Sequence, residues 1–71
     1  MKTSARNQFS GTVLAVKTGA VNSEISIGLP GGQTLTATVT NESCEELALA
    51  QGRAVIALVK SSHIIVATDL A

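Results

Sequence analysis

Two alternating stretches joined by a Pro-Gly-Gly turn constrain the fold of this chain more than any other feature. In residues 21–29 and again in residues 33–40, small polar residues alternate with mostly apolar ones. A period of two is typical of a β-strand with one buried face. Pro30 fixes φ at the first turn position, and the two glycines that follow tolerate positive φ. The sequence therefore predicts an antiparallel hairpin, with Leu35, Ala37 and Val39 facing inward on its second strand.

Three further segments are predicted to be strands because they are rich in β-branched and other apolar residues. They are residues 9–17, 53–60 and 63–68. Their central positions are apolar on both faces, whereas one sheet can bury only one face against its own core. We therefore expect the other face of these strands to be covered by a second copy of the chain.

A single helix is predicted between the third and fourth strands. In residues 41–50 the spacing of Cys44, Leu47 and Ala48 places them on one helical stripe, and Thr40 or Asn41 can cap the start. The order strand, strand, strand, helix, strand, strand in so short a chain favours a small closed sheet. The expected fold is all-β: a five-stranded OB-like barrel with one short helix between strands three and four.

Size and composition predict one domain, residues 1–71, that is stabilised by assembly. A domain of about this size buries only about 60% of its unfolded surface and usually needs disulfides, metals or oligomerisation. Cys44 is the only cysteine, and only 14% of the residues are charged although 45% are hydrophobic. Disulfides within the chain are thus excluded. A structural zinc site is not expected either, because zinc usually takes four ligands and Cys44 and His63 are the only soft ones, which leaves a homo-oligomer as the expectation.

Charge and residue types exclude several classes of function. The net charge is zero and Phe9 is the only aromatic residue, so the chain lacks the basic, aromatic surface that binds nucleic acid. No apolar run reaches the ~20 residues of a membrane helix. Cys44 and His63 have no partners placed for nucleophilic catalysis, so we do not expect an enzyme. The lone cysteine and the absence of an apolar leader predict a cytoplasmic protein.

Hydrogen-bond donors suited to an oxyanion occur at three places in the chain. Residues 3–8 combine hydroxyls, amides and the guanidinium of Arg6, whose planar fork donates two parallel bonds to an oxyanion. Taken alone, this stretch is more typical of a frayed terminus than of a binding site. Lys60 with Ser61, and the hydroxyl of Thr40, supply further donors. If these groups act together, we expect the N-terminal stretch to form half of a site that a second copy completes.

Five segments of the sequence together resemble the molbindin family, the small molybdate-binding Mop proteins, over essentially the whole chain. The N-terminal Ser-Ala-Arg-Asn-Gln and the later Lys-Ser are the more specific parts of the resemblance. The five segments are residues 4–8, 19–24, 29–32, 38–43 and 60–62.

The resemblance implies a single Mop domain that assembles as a homohexamer, a trimer of dimers. It implies that molybdate, and also tungstate, is bound as an oxyanion at subunit interfaces, with no metal directly coordinated by a side chain. The implied role is intracellular molybdenum storage and homeostasis in the cytoplasm. The alternative is a structural or regulatory oligomerisation module with non-selective anion sites.

Two sets of site residues are also implied by the resemblance. The site between paired subunits would use Ser4, Ala5, Arg6, Thr40, Lys60 and Ser61. The site near a threefold axis would use Val21, Asn22 and Ser23, mostly through backbone N–H groups and small polar side chains.

Overall fold

Four antiparallel strands and one short helix form the fold in the computed structural model, which describes residues 1–69. The sheet has the order β3-β2-β1-β4. A single 3₁₀ turn, Ser61–His63, follows the last strand. The elements are β1 (Asn7–Thr18), β2 (Asn22–Gly28), β3 (Thr34–Thr40), α1 (Asn41–Glu46) and β4 (Ala54–Val59). The predicted all-β class and the position of the helix between strands three and four are confirmed.

The long strand β1 curls the sheet into an open, OB-like half-barrel. Its first half, Asn7 to Thr12, pairs with β4, and its second half, from Thr12 to Thr18, pairs with β2. The register with β2 shifts between Val13 and Ala15, where an extra residue forms a bulge. A bulge bends a strand and increases its twist, so one strand can belong to both walls of a curved sheet.

The core lies on the concave face of this sheet. Val13, Ile25 and Ile27 are buried, and the inward residues of β3 and β4 pack against them. Leu35, Ala37 and Val39 are half-buried while the threonines between them are exposed, which confirms the predicted faces of this strand. Val21 begins the predicted strand 21–29, whose alternation placed it on the buried face, but in the structure it precedes β2 and is 69% exposed.

The hairpin turn between β2 and β3 also has its predicted form. Gly31 and Gly32 both have positive φ, 94° and 91°, and Leu29 N–H donates to the carbonyl of Gln33 at 2.8 Å. Glycine is the residue that adopts these angles without steric cost. The local sequence is therefore sufficient to specify both the turn and the pairing of the two strands beside it.

The helix is shorter than the predicted span of residues 41–50. Thr40 caps it, because its hydroxyl oxygen accepts from Ser43 N–H at 3.0 Å. The helix ends at Glu46, and Ala48 then takes a positive φ of 52° that reverses the chain. Of the predicted stripe, only Cys44 packs against the core, since Leu47 is 57% exposed and Ala48 is also exposed. Because the chain reverses at Ala48, Leu49 contacts the core in their place.

The prediction of a fifth strand at residues 63–68 is wrong for the single chain. Residues 64–69 pair with no other strand in the part of the chain that the structure describes, and Ile65 and Val66 are 94% and 83% exposed. The barrel consequently stays open between its outer strands, β3 and β4. The opening is a cleft of about 270 Å³, lined mainly by the inward residues of β2, β3 and β4.

Candidate functional site

The N-terminal donors and those after β4 lie at one end of the sheet. Asn7 pairs with Val59 in the β1–β4 register, and the Asn7 side-chain amide donates to the Val59 carbonyl at 3.2 Å. Residues 4–6 immediately precede this pair and residues 60–61 immediately follow it. We call this group, residues 4–6 with residues 60–61, the basic end. Five of the six residues predicted for the first site are thus gathered at the basic end within one chain.

Local hydrogen bonds shape both segments of the basic end. The Thr3 hydroxyl accepts from Ala5 N–H at 3.1 Å, and the Gln8 side-chain amide donates to the Ala5 carbonyl at 3.1 Å. On the other segment, His63 N–H donates to the Lys60 carbonyl at 2.9 Å and closes the 3₁₀ turn. The side chains of Arg6 and Lys60 are exposed. Both cationic groups are therefore accessible to a ligand or to a second chain.

Thr40, the sixth predicted residue, lies at the opposite end of the sheet. It pairs with Asn22 in the β2–β3 register, and β2 begins beside the far end of β1. β1 is twelve residues long, which is roughly 36 Å along the strand at ~3.3 Å per residue. The structure therefore does not bring Thr40 to the basic end of its own chain, and only a second copy could place the two together.

The surroundings of Thr40 include the residues predicted for the second site. We call residues 19–21, which join β1 to β2, together with Asn22, the first residue of β2, the turn end. Asn41, which follows Thr40, donates through its side-chain amide to the Gly19 carbonyl at 2.9 Å and through its backbone N–H to the Val21 carbonyl at 2.8 Å. The helix start and the turn end are thereby held together as one polar unit.

Ser23 contributes to this unit from inside the fold. Its side chain is 2% exposed, and its hydroxyl donates to the Asn41 side-chain oxygen at 2.6 Å. The Thr40 hydroxyl likewise donates to the Ser43 hydroxyl oxygen at 2.9 Å. Within one chain, both hydroxyl protons thus serve internal bonds, whereas Val21 and Asn22 are exposed.

Sequence reasoning missed Asn41 as a functional candidate and treated it only as a possible helix cap. Its partners Gly19 and Ser23 are 22 and 18 residues away in sequence. The available signal was an asparagine directly after a threonine-rich strand, a residue type that bonds local backbone groups. That signal does not say which turn the side chain will reach.

Cys44 and His63 do not form a reactive pair. Cys44 is half-buried against the core, and its thiol contacts the Leu49 carbonyl at 3.9 Å, whereas His63 lies exposed in the 3₁₀ turn. Within residues 1–69, no three His, Cys, Asp or Glu side chains are grouped to hold a metal ion. None of the helices described is long and apolar enough to cross a membrane.

The curled sheet with polar donors at both ends defines a small OB-like β-domain. Residues 3–66 match the TOBE domain family. The chain belongs to this family, and within it to the molbindins. It is 34% identical to MopII from Clostridium pasteurianum, whose structure superposes with a TM-score of 0.90 over 94% of this chain and 100% of that one.

Two further relatives are longer than this chain. It is 44% identical, over its whole length, to the molybdenum transport protein ModE of Herbaspirillum seropedicae, and spans about a quarter of that protein, 26%. It is 57% identical to a structure of the cytoplasmic molybdate-binding protein ModG with molybdate bound, with a TM-score of 0.82. That match covers 86% of this chain and 43% of ModG.

Proposed function

We propose that the protein binds molybdate, and also tungstate, at interfaces of a homo-oligomer and serves molybdenum storage and homeostasis in the cytoplasm. Similarity to MopII over 94% of this chain and the 57% identity to molybdate-bound ModG carry the proposal. Molybdate is supported as the ligand by the ModG structure, which has molybdate bound. Tungstate is added because it has the same tetrahedral shape and charge.

The chemistry of the basic end supports this ligand. Molybdate at neutral pH is a dianion with four acceptor oxygens and no proton to donate, so a matching site contains donors only. Arg6 and Lys60 offer exposed cationic donors at one end of the sheet, beside the hydroxyls of Ser4 and Ser61. Charge-assisted hydrogen bonds of this kind offset the cost of removing a dianion from water.

The uncovered apolar surface supports assembly. Residues 64–66 present a β-branched, strand-forming sequence without a partner strand in the described chain, and the cleft between β3 and β4 lacks a strand. A second copy that inserts this segment would close the barrel and remove Ile65 and Val66 from water. Burying side chains of this size contributes about 1.5–3 kcal/mol each. A homohexamer, as the family resemblance implies, would then place donors of different chains side by side.

Interfacial binding also accounts for the separation of Thr40 from the basic end. The Thr40 end of one copy would contact the basic end of another, which completes the predicted set of Ser4, Ala5, Arg6, Thr40, Lys60 and Ser61. Val21, Asn22 and Ser23 would form the second site where turn ends of several copies meet. A ligand that binds only the assembled form stabilises it by mass action.

Calorimetric titration with sodium molybdate, combined with native mass spectrometry, tests the proposal. We expect heat of binding at micromolar protein and an oligomer whose mass increases by a whole number of bound oxyanions. No binding of molybdate or tungstate would overturn the proposal. If sulfate and phosphate compete fully at physiological concentration, the alternative is favoured: an oligomerisation module with non-selective anion sites.

A further inference from the structure

One carboxamide organises the turn end. The Asn41 side chain donates to the Gly19 carbonyl and accepts from the Ser23 hydroxyl, at 2.9 and 2.6 Å. Its backbone N–H donates to the Val21 carbonyl at 2.8 Å. Asn41 therefore binds both sides of the turn, before and after residues 20–21, and holds it against the core through a serine that is 2% exposed.

The turn that Asn41 holds carries unused donors. Ala20 and Val21 are exposed and lie outside the strands, and their N–H groups donate to no acceptor among residues 1–69. Gly19 N–H donates to the Asn22 carbonyl at 2.8 Å, while the Gly19 carbonyl is bound by Asn41. Successive backbone N–H groups in a fixed turn can form a concave site for an anion.

Of the three residues predicted for the second site, Ser23 would act in this arrangement by orienting Asn41 and not by offering its own side chain to the ligand. Its hydroxyl proton is already donated to Asn41, and the side chain is buried beneath the turn. The serine therefore fixes the Asn41 carboxamide, and the carboxamide in turn fixes the backbone above it. In this arrangement, the backbone N–H groups of the turn are free to contact an anion, and the side chains of Ser23 and Asn41 orient that backbone.

We propose that Asn41 is the positioning residue of an oxyanion site at the turn end, where the N–H groups of Ala20 and Val21 contact the ligand. The inference rests on the proposed function and assigns a role to a residue outside both predicted site sets. Only a carboxamide both donates to Gly19 and accepts from Ser23. A carboxylate at the same position accepts only, so it loses the bond to Gly19 and adds a negative charge beside the anion.

Amide-resolved NMR titration of the full chain with sodium molybdate tests this role. In the wild-type protein, the amide signals of Ala20 and Val21 shift saturably, as do those of residues 4–6 and 60–61. In Asn41→Ala and Asn41→Asp, the midpoint at Ala20 and Val21 rises at least tenfold more than the midpoint at the basic end, where only the neighbouring Thr40 would take part. A purely structural loss would instead weaken both ends together and lower the melting temperature.

Asn7→Ala is the matched control, because Asn7 is an asparagine whose side-chain amide also donates to a backbone carbonyl, but at the basic end. This variant leaves the midpoint at Ala20 and Val21 unchanged. Ser23→Ala keeps the bond from Asn41 to Gly19 and produces a smaller rise than Asn41→Ala. If Asn41→Ala does not fold, Ser23→Ala and Asn41→Asp still test the proposal. An unchanged midpoint at Ala20 and Val21 in both of these variants overturns the proposal.

The outcomes separate this inference from the proposed function. Absence of any shift in the wild-type protein overturns molybdate binding altogether. Shifts at the basic end without shifts at Ala20 and Val21 overturn only the turn-end site, as does an unchanged midpoint at these residues in Asn41→Ala.

Discussion

Arg6 and Lys60 are brought to one end of the sheet by the pairing of Asn7 with Val59. Two like charges at the same end of a sheet repel each other, and a dianion bound between them would offset that repulsion while it accepts their hydrogen bonds. The residue types of this group were recognisable in the sequence, since Arg, Lys and Ser are the natural donors to an oxyanion. Their common location depends on the β1–β4 register, which joins residues 52 positions apart.

Replacing Arg6 by Ala is expected to weaken molybdate binding by about 10- to 100-fold, because a hydrogen bond to a charged group contributes about 1.5–3 kcal/mol and 1.4 kcal/mol is tenfold. Arg53→Ala is the matched control, since Arg53 is also exposed but precedes the opposite end of β4. Calorimetric titration measures both affinities. Equal affinity in wild type and Arg6→Ala would remove Arg6 from the site.

Asn41 shows what sequence reasoning could not reach at this scale. Its role depends on Gly19 and Ser23, which the β1–β2 connection and the β2–β3 hairpin bring beside it. Thr40 was also placed correctly as a helix cap, but its distance from the basic end follows from the length of β1. The chemistry of individual residues could thus be predicted from the sequence. Which distant residues meet at the basic end and which meet at the turn end could be seen only in the folded structure.

At the scale of elements, the β2–β3 hairpin and the last segment give opposite results. The hairpin was predictable because its turn and both strands are adjacent in sequence. Residues 63–68 have strand-forming residues, but β-propensity describes fitness for a pleated surface and does not supply a neighbouring strand. Within the described chain that neighbour is missing, so the segment remains unpaired. The prediction of a strand at residues 63–68 would be correct only in an assembly in which a second copy supplies the neighbouring strand.

Ile65→Asp is expected to reduce the oligomer to smaller species without unfolding the individual chain. Ile65 is 94% exposed in one chain, so the substitution removes no contact from its own core. In an assembly that buries this segment, it would place an unpaired carboxylate in an apolar cleft. Gln51→Asp, in an exposed turn, adds the same charge as a control. Light scattering after size-exclusion chromatography measures the mass, and an unchanged mass for Ile65→Asp would argue against burial of this segment.

For the whole molecule, assembly and ligand binding are expected to stabilise each other. The described core contains only three buried apolar residues, Val13, Ile25 and Ile27. A domain with so small a core usually needs further support, which assembly with other copies would supply. Because the proposed sites lie between copies, an oxyanion that occupies them holds those copies together, and the free energy of unfolding rises with ligand concentration.

Molybdate should accordingly raise the melting temperature, whereas sulfate should not. A ligand at 100 times its Kd contributes about 2.7 kcal/mol, and 1 kcal/mol shifts the Tm of a small domain by about 4–8 °C, so we expect a rise of roughly 10–20 °C. Calorimetric scans at fixed protein concentration and ionic strength measure it. Sulfate has the same charge and shape but is smaller, so a donor cage built for molybdate fits it poorly. An equal rise with both anions would show that the sites recognise charge alone, and would favour the non-selective module over the storage protein.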